Sequence, residues 1–475
     1  MKQGDIGIIG LGVMGSNLAL NIADKGYKIA VHNRTAARID EFVAGAGELK
    51  EQIIPNAQLA DFVSSIKAPR MILIMVKAGK PVDQTIAALM EHLDKGDIII
   101  EAGNSNFTDS ERRFETLQRA GFGFLGIGVS GGSEGARFGP SIMVGGAKTH
   151  WLQAKEILQS IGAKFKGESC ADYMGEGGAG HFVKTIHNGI EYADMQMIAE
   201  IYGIMRDGMG MSPLACSEIF KSWNEGALNS YLIEVTGHVL AKIDQKTGRP
   251  LIELIVDQAG QKGTGRWSAI AATKLGVAAT SIEGAVAARA LSALKQERVA
   301  AEKIYARQGG VQQSSVELKI EALEQALIAG KIAAYAQGFA VLNAASKENE
   351  WDLPLATIAK IWRAGCIIRS RFLDQMSSAL EKGSVENLLI APDFVTMMSN
   401  NQNALRQVVS LGAINALPTM CLGAALSYFD TYKMANGTAN LIQGQRDFFG
   451  AHGFYMSDRE GMQNEEWPST LVVKT

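Results

Sequence analysis

Residues 5–15 read DIGIIGLGVMG, and this stretch decides the fold of the first part of the chain. Asp5–Gly10 has the apolar character of a short buried strand, and a GxGxxG pattern begins at its end. A helix with apolar periodicity then runs to Gly26, and a second strand, Lys28–His32, comes next. Strand, tight turn, helix and strand within about 30 residues predict a dinucleotide-binding unit.

Each glycine of the pattern has a physical task in such a unit. Gly10 permits the tight turn, Gly12 lets the backbone approach a pyrophosphate, and Gly15 lets the helix pack on the strand. The helix N-terminus offers free N–H groups and the positive end of its dipole to the phosphates. The predicted cofactor-binding residues of this turn are Gly10, Leu11, Gly12, Val13, Met14 and Gly15.

The end of the second strand indicates which dinucleotide is bound. Proteins that prefer NAD usually carry an Asp or Glu there, which binds the ribose 2′-hydroxyl. This chain has Asn33-Arg34-Thr35, and the Arg34 guanidinium can pair with a 2′-phosphate, so NADP is favoured. The alternative is that Arg34 is an ordinary exposed residue and that Asn33 only caps the next helix.

Three further loops follow predicted strands, where open α/β sheets bind their ligands. The first two are Met75-Val76-Lys77-Ala78 and Glu101–Ser105, in which Val76, Lys77, Ala78 and Asn104 are predicted to contact the cofactor. Asn104 in the second of these loops can also reach a substrate. Val129–Ser133 offers Ser130 and backbone N–H groups to a carboxylate. The alternative for each loop is ordinary turn chemistry.

The chain changes character near residue 178. Before it, strands alternate with helices such as Arg38–Ala46, Val82–His92 and Asp109–Ala120, which predicts a doubly wound, Rossmann-type α/β sheet. The predicted strands are Ile6–Ile9, Ile29–His32, Met71–Val76, Asp97–Glu101, Phe124–Val129 and Ser141–Val144. The later part is helix-periodic over Gly180–Met209, Ile282–Arg307, Ser315–Lys347, Leu355–Asp374 and Asn403–Phe429.

Three parts are therefore predicted. Residues 1–178 form an α/β Rossmann-type domain, and residues 179–436 form a large all-α domain. Residues 437–475 form an extended C-terminal tail, which has a short helical start. The tail is too irregular to build its own core, so we expect it to dock on another surface.

A polar stripe marks the start of the helical part. Within Gly175–Tyr192, the residues Lys184, His187, Asn188 and Glu191 share one face of a predicted helix. The opposite face holds Phe182, Val183, Ile186 and Ile190, and is expected to be buried. An amine, an imidazole, an amide and a carboxylate in one line suit acid–base work on a small polyhydroxy or acidic substrate. The alternative is a solvated helix face. The glycines that open the run, from Gly175 to Gly180, indicate close backbone packing.

Composition excludes several classes of function. The net charge of the 475 residues is −3 with no basic stripe, so nucleic acid and acidic membrane surfaces are unlikely partners by charge. The apolar runs are too short to span a bilayer, and the N-terminus has no signal-peptide pattern. Cys170, Cys216, Cys366 and Cys421 share no metal-ligand spacing, so no metal site is predicted. Reduced thiols in a cytoplasmic protein are expected.

The motifs together resemble the 6-phosphogluconate dehydrogenase family, from residue 5 to the tail. They are GLGVMG at 10–15, HNRT at 32–35, GVSGGSEGA at 128–136, GAGHFVKTIHNGIEY at 178–192, KGTGRW at 262–267, RAGCIIR at 363–369 and QRDFFGAHGF at 445–454. The resemblance implies NADP-dependent oxidation of the 3-hydroxyl of 6-phosphogluconate, loss of CO2 and protonation of the enediol to ribulose 5-phosphate, without a metal. This is a step of the pentose phosphate pathway.

The resemblance also implies roles for residues. Lys184 matches the general base and acid, and Glu191 matches the acid that protonates C1 of the product. Groups that match the binding of the carboxylate and hydroxyls are Asn104, Ser130, Gly131, Gly132, His187 and Asn188. Groups that match the binding of the phosphate and sugar are Tyr192, Lys262, Thr264 and Arg289. Arg446 and His452 match tail residues that reach the partner's site, so at least a homodimer is implied, with the all-α domain binding substrate and forming the dimer.

Departures from the family pattern occur at Glu101, Ala102, Ser133 and Val144, where many relatives have other residues. They leave the reaction class unchanged and affect fine positioning. Two other readings of the residues stay open. One is a non-decarboxylating β-hydroxyacid dehydrogenase for a short substrate, against which the cations Lys262, Arg289 and Arg446 argue. The other is an NADP-binding protein without catalysis.

Overall fold

The computed structural model describes residues 3–305, 318–382 and 386–467. The chain divides into two compact units, Met1–Leu426 and Ser427–Thr475. The first unit contains a mixed sheet followed by a helical region, and the second contains the tail. Among the described helices, none combines the length and the apolar composition needed to cross a membrane.

The sheet of the first unit has eight strands in the order β10-β7-β6-β5-β4-β1-β2-β3. Its strands are β1 (Ile6–Ile9), β2 (Ile29–His32), β3 (Ile53–Pro55), β4 (Met71–Ile74), β5 (Ile98–Glu101), β6 (Gly123–Ser130), β7 (Ser141–Gly146) and, after a small hairpin of β8 (Lys164–Phe165) and β9 (Glu168–Ser169), β10 (Ala171–Gly175). All neighbouring pairs in the sheet are parallel except β6 and β7. The predicted α/β fold is confirmed.

Helices cover both faces of this sheet. They are α1 (Val13–Asp24), α2 (Ala36–Gly45), α3 (Leu59–Ser64), α4 (Lys80–Met90), α5 (Phe107–Ala120), α6 (Gly132–Phe138) and α7 (Lys148–Ile161). Ile8 and Ile9 point to opposite faces, since Ile8 joins the apolar cluster of Leu18 and Ile9 joins that of Phe62. Two apolar layers therefore enclose the sheet, which leaves the strand ends and their loops as the place for ligands.

The helical region begins with one long helix, α8 (Ala179–Gly203). The helices that follow in the first unit are α9 (Pro213–Asn224), α10 (Tyr231–Ala241), α11 (Thr264–Lys274), α12 (Thr280–Ser292), α13 (Lys295–Tyr305), α14 (Ile320–Glu348), α15 (Leu355–Ile361), α16 (Phe372–Glu381), α17 (Pro392–Ile414) and α18 (Met420–Tyr432), the last of which runs into the second unit. α8 and α14 pack against each other and are buried along most of their lengths.

Three predicted helical stretches divide into pairs. Ile282–Arg307 becomes α12 and α13, with its last two residues outside the described residues. Leu355–Asp374 becomes α15 and the start of α16, separated by a loop over residues 362–371. Asn403–Phe429 is broken between α17 and α18, where Pro418 cannot continue a helix. Apolar periodicity continues through each of these breaks, so it does not reveal them.

The second unit contains α19 (Ala439–Gly450) and a hairpin of β11 (Phe454–Tyr455) and β12 (Met462–Gln463). Asp447 is its buried centre. The Asp447 carboxylate accepts hydrogen bonds from the backbone N–H groups of Gly453 and Glu465 and from the Trp467 indole, at 2.8–3.0 Å. The carboxylate thus joins α19 to the two ends of the hairpin and to Trp467.

Candidate active site

Glycines let α8 approach the sheet closely. A Cβ on Gly180 would overlap the carbonyl oxygens of Gly126 and Met143, and one on Gly128 would overlap the Lys184 side chain. The first turns of α8 therefore lie directly on β6 and β7. The predicted close packing of this run is confirmed, and it brings Lys184 to the end of the sheet where ligands are expected.

The polar stripe of α8 is buried. Lys184 is 7% exposed, His187 0% and Asn188 8%, while the Glu191 side chain is 20% exposed. The sheet covers one side of α8, and α11, α12 and α14 cover others. The alternative of a solvated helix face is wrong, because the apolar face and the polar face are both enclosed.

The stripe forms a connected set of hydrogen bonds. Lys184 Nζ donates to Asn188 Oδ1 over 2.6 Å, and His187 Nδ1 lies 3.1 Å from the same oxygen. On the other side of the ring, His187 Nε2 lies 3.2 Å from Ser130 Oγ at the end of β6. The fold thus joins Ser130 to the stripe, although 57 residues separate it from His187.

Burial shifts the two ionisable ends of the stripe in opposite directions. It lowers the pKa of Lys184, against the attraction of the Glu191 carboxylate, and so favours the neutral amine. It raises the pKa of Glu191, against the attraction of Lys184 and Arg289, and so favours the neutral acid. Burial and the nearby Lys184 also hold the pKa of His187 well below its ordinary value. The site can therefore hold an uncharged base and an uncharged acid together.

A cation lies beyond Glu191. The Arg289 guanidinium stacks 3.6 Å from the centre of the Tyr192 ring, whose edge packs on the backbone of Gly265. Thr264 is buried at the start of α11, and Lys262 is exposed in the loop before it. The arrangement brings Tyr192 and Arg289 together with the start of α11.

The loop after β6 packs on a segment to which sequence reasoning assigned no role. Gly131 and Gly132 have φ of 110° and 64° at the start of α6, and a Cβ on Gly131 would lie 2.5 Å from the Gly365 carbonyl oxygen. In the same 362–371 loop, Trp362 packs edge-on against His187 at 5.4 Å between ring centres. The sequence signal for this segment is the RAGCIIR motif at 363–369, for which the family resemblance implies no role.

The glycine-rich turn has the expected geometry. Gly10 has φ of 102°, and a Cβ on Gly15 would overlap the Gly10 carbonyl oxygen, whereas one on Gly12 would meet only open space. Asn33 Oδ1 accepts a hydrogen bond from the Leu11 N–H at 3.1 Å. The alternative role of Asn33 as a helix cap is wrong, because Thr35 occupies that position.

The remaining residues predicted to bind cofactor line the same edge. Val13 is 71% exposed at the start of α1, and Arg34 is exposed after β2. The residues of this set that are exposed or half-buried are Val13, Met14, Asn33, Arg34, Thr35, Val76, Lys77, Ala78 and Asn104. An open helix N-terminus with a cation beyond the second strand fits a dinucleotide that carries phosphates.

Comparison with known proteins decides the family. The NAD binding domain of 6-phosphogluconate dehydrogenase matches residues 5–175, and the C-terminal domain of 6-phosphogluconate dehydrogenase matches residues 180–467. The chain belongs to the 6-phosphogluconate dehydrogenase family. A solved structure of the Plasmodium falciparum 6-phosphogluconate dehydrogenase, studied in its apo form and with NADP+ and 6-phosphogluconate, has 39% identity and a TM-score of 0.92, covering 98% of this chain and 100% of that one.

Two curated relatives in this family differ in cofactor. Both come from Bacillus subtilis strain 168 and are 46% identical to this chain. One is an NADP(+)-dependent decarboxylating 6-phosphogluconate dehydrogenase, covering 98% of this chain and all of its own length. The other is the NAD(+)-dependent enzyme, covering 97% and 99%. Overall similarity therefore does not distinguish the cofactors, and local residues must be considered.

The two tail residues implied by the family lie in the second unit. Arg446 is exposed on α19 and donates to Gln443 Oε1 over 3.0 Å. His452 is exposed just after this helix, 6.2 Å from Phe449 between ring centres. Both side chains are therefore at the surface.

Proposed function

We propose that this protein catalyses the oxidative decarboxylation of 6-phospho-D-gluconate to D-ribulose 5-phosphate and CO2, with reduction of NADP. The observation that carries the proposal is the buried line of Lys184 and Glu191 on α8, whose pKa shifts favour a neutral base and a neutral acid. Membership of the 6-phosphogluconate dehydrogenase family supports the substrate and the decarboxylating chemistry.

Lys184 begins the reaction as a general base. Its neutral Nζ accepts the proton of the C3 hydroxyl, and burial supplies the lowered pKa that this step needs. NADP, when bound, takes the hydride from C3. The Lys184 ammonium formed in this way then donates a hydrogen bond to the new C3 ketone. Asn188, which already accepts from Nζ at 2.6 Å, keeps the amine in place during both steps.

Glu191 completes the reaction as a general acid. The 3-keto acid loses its carboxylate as CO2, and the electron pair of the broken bond forms an enediolate whose C3 oxygen the Lys184 ammonium stabilises. Glu191 then delivers its proton to the carbon that lost CO2, which becomes C1 of the product. Its raised pKa favours the protonated form that this step needs. The deprotonated carboxylate recovers a proton from Lys184 or solvent.

Substrate is proposed to lie along the stripe. Ser130, the Gly131 and Gly132 N–H groups, and His187 bind its carboxylate end, with Asn104 and Asn188 at its hydroxyls. The phosphate is bound by a separate set: Tyr192, Lys262, Thr264, Arg289 and, from the partner subunit's tail, residues equivalent to Arg446 and His452. Arginine and lysine suit a phosphate dianion, the first by a bidentate fork.

NADP is proposed as the preferred cofactor. The exposed Arg34 follows β2 with Asn33 and Thr35 as its chain neighbours, where NAD-binding proteins usually have an Asp or Glu, and this favours a 2′-phosphate over a free hydroxyl. Arg34→Asp is expected to lower kcat/KM for NADP by about tenfold or more, the equivalent of about 1.4 kcal/mol, and to spare NAD. A variant with an unchanged NADP-to-NAD ratio would remove Arg34 from this role.

A homodimer completed by the tail is proposed. Exposed apolar side chains support it, namely Ile255, Val256, Leu291, Ile304 and Tyr305 in the first unit and Leu441, Ile442 and Phe449 in the tail. In this proposal, residues 1–178 bind the cofactor and residues 179–436 bind the substrate. Residues 437–475 contact the partner subunit. The four buried free cysteines support a reducing, cytoplasmic location.

The deciding experiment follows NADPH absorbance and CO2 release with 6-phosphogluconate and NADP, for wild type and Lys184→Ala. Equal amounts of both products from wild type, and almost none from the variant, are expected. NADPH without CO2 would favour a simple dehydrogenase with another substrate. Binding of NADP without either product would favour a non-catalytic protein.

A further inference from the structure

A buried histidine outside the stripe joins the helix of Lys184 to the loop of Asn104. His181 lies three residues before Lys184 on α8 and is 1% exposed. Its Nε2 lies 3.0 Å from the Gly103 carbonyl oxygen, and its Nδ1 lies 2.7 Å from the Ser110 hydroxyl. A carbonyl oxygen can only accept, so Nε2–H donates to Gly103 and Nδ1 accepts from Ser110.

The surroundings of the ring keep this arrangement in place. Burial lowers the pKa of His181, which favours the neutral ring with one donor and one acceptor. A glycine of β6 lies beside it, since a Cβ on Gly126 would stand only 3.0 Å from Nδ1. The ring therefore has little freedom to turn away from the Gly103 carbonyl.

The other side of the Asn104 loop is held by a buried ion pair. Arg113 Nη1 lies 3.0 Å from both carboxylate oxygens of Glu101, and Ser105 Oγ donates to the same carboxylate. Arg113 also donates to the Gly79 carbonyl at 3.3 Å, in the loop after β4. Arg113 of α5 thus holds the loop at Glu101 and Ser105, and His181 of α8 holds the middle of the loop at Gly103.

We propose that His181 is a positioning residue that sets Asn104 relative to Lys184. The proposal rests on the proposed function, in which Asn104 contacts cofactor and substrate and Lys184 takes the hydroxyl proton. His181 and Lys184 are one turn apart on α8. The hydrogen bond from His181 to Gly103 therefore fixes the distance between the loop that carries Asn104 and the base Lys184. Hydride transfer needs Asn104 and Lys184 to be correctly placed relative to each other, and a misplacement of about 1 Å can cost about 10²-fold in rate.

The test is a double-mutant cycle between residues 181 and 104. His181→Met keeps the length of the side chain and removes the N–H donor, whereas His181→Gln keeps a donor near the position of Nε2. We expect His181→Met to lower kcat by about tenfold in the wild-type background. In the Asn104→Ala background the same change is expected to cost less than about twofold, because the positioned group is gone. His181→Gln is expected to restore most of kcat.

A second variant and a control keep the test decisive. Ser110→Ala removes the hydroxyl that fixes the ring and replaces His181→Met in the cycle if the latter does not fold. Ser217→Ala removes a comparable buried hydrogen bond, to the Gly237 carbonyl at 2.8 Å, away from the loop. Its effect is expected to be the same with and without Asn104.

The outcomes separate this proposal from the function on which it rests. Equal losses from His181→Met in the two backgrounds, or a His181→Gln variant as slow as His181→Met, would overturn the positioning role. An Asn104→Ala variant with wild-type kcat and KM would instead overturn the proposed role of Asn104. Absence of NADPH and CO2 from wild type would overturn the proposed function itself.

Discussion

Lys184 and Lys331 are two buried lysines on helices that pack against each other, and their surroundings differ. Lys331, on α14, is 0% exposed and lies 2.7 Å and 2.8 Å from the two carboxylate oxygens of Asp194. Lys184 instead donates to an amide oxygen of Asn188 and lies beside a histidine. Lys331 therefore has a carboxylate as its hydrogen-bond partner, whereas Lys184 has a neutral amide oxygen.

The difference shows that burial alone does not make a lysine reactive. A buried lysine within hydrogen-bond distance of a carboxylate has a counter-charge beside it, which suits a structural role. The Lys184 amine loses hydration and has a neutral amide as its hydrogen-bond partner, and burial outweighs the attraction of the Glu191 carboxylate, so its pKa is lowered, as a general base requires. Glu191 could supply a counter-charge to Lys184, but burial shifts this carboxyl toward its own neutral form.

The largest expected effect separates the two lysines by activity. Lys184→Met is expected to lower kcat by about 10³-fold, because the proton acceptor is lost, while the free energy of unfolding stays close to that of wild type. Lys331→Met is expected to leave kcat of the folded protein within about tenfold, since Lys331 lies outside the stripe. Steady-state NADPH formation and urea unfolding of both variants provide the measurement. Equal losses of kcat in the two variants would show that the different surroundings of Lys184 and Lys331 do not give them different roles in catalysis.

The next effect concerns stability. Lys331→Met leaves the Asp194 carboxylate buried without its partner, and is expected to cost about 3–5 kcal/mol of unfolding free energy. Adding Asp194→Leu removes the stranded charge and is expected to recover most of that loss. Urea titrations of the single and double variants test this. A double variant as unstable as the single one would mean that packing, not charge, limits stability here.

A smaller effect concerns the glycines beside each lysine. Gly128→Ala presses on the Lys184 side chain, and is expected to lower kcat by about tenfold. Gly330→Ala meets only the flexible ends of Met197 and Leu422, at 2.7 Å and 3.0 Å, and is expected to leave kcat unchanged. Its unfolding free energy should change by about 1 kcal/mol or less, because helix propensity offsets the repacking. Loss of kcat in both variants would argue for a general packing effect.

The smallest expected effect is a shift in pH dependence. Lys184 accepts a proton only when neutral, so the single-turnover burst of NADPH should rise with pH through its pKa. In the fraction of molecules in which Glu191 has lost its proton, its carboxylate raises the pKa of Lys184. Glu191→Gln removes this attraction, so the rising limb should move to lower pH. The burst precedes protonation of the product carbon, so it stays measurable in this variant. A limb that stays in place or moves to higher pH would contradict the coupling.

Local rules explain why much of the sheet could be predicted. Ile6–Ile9, Ile29–His32 and Ile98–Glu101 are short apolar runs next to turn residues, and all are strands in the structure. β3 and β10 were missed because Ile53–Pro55 has only three residues and Ala171–Gly175 mixes polar and apolar side chains. The antiparallel direction of β7 was missed too, since strand direction depends on the connection between strands.

Long-range contacts explain what could not be predicted about the site. Asp194 and Lys331 are 137 residues apart, and His181 and Gly103 are 78 apart. No local period links such pairs. Trp362 was likewise outside the predicted site, because only the packed loop brings it to His187.

The sequence by itself determined the direction of side chains along α8 and the conformation of the glycine-rich turn. Both depend on the geometry of a few neighbouring residues, which a helix period or a missing Cβ specifies. Only the tertiary structure decided that the first half of α8, Ala179–Ile190, is buried on all its faces, that Ser130 reaches His187, and that one buried lysine has a carboxylate hydrogen-bond partner while the other does not. These properties depend on desolvation by distant segments, so they arise only when the chain is packed.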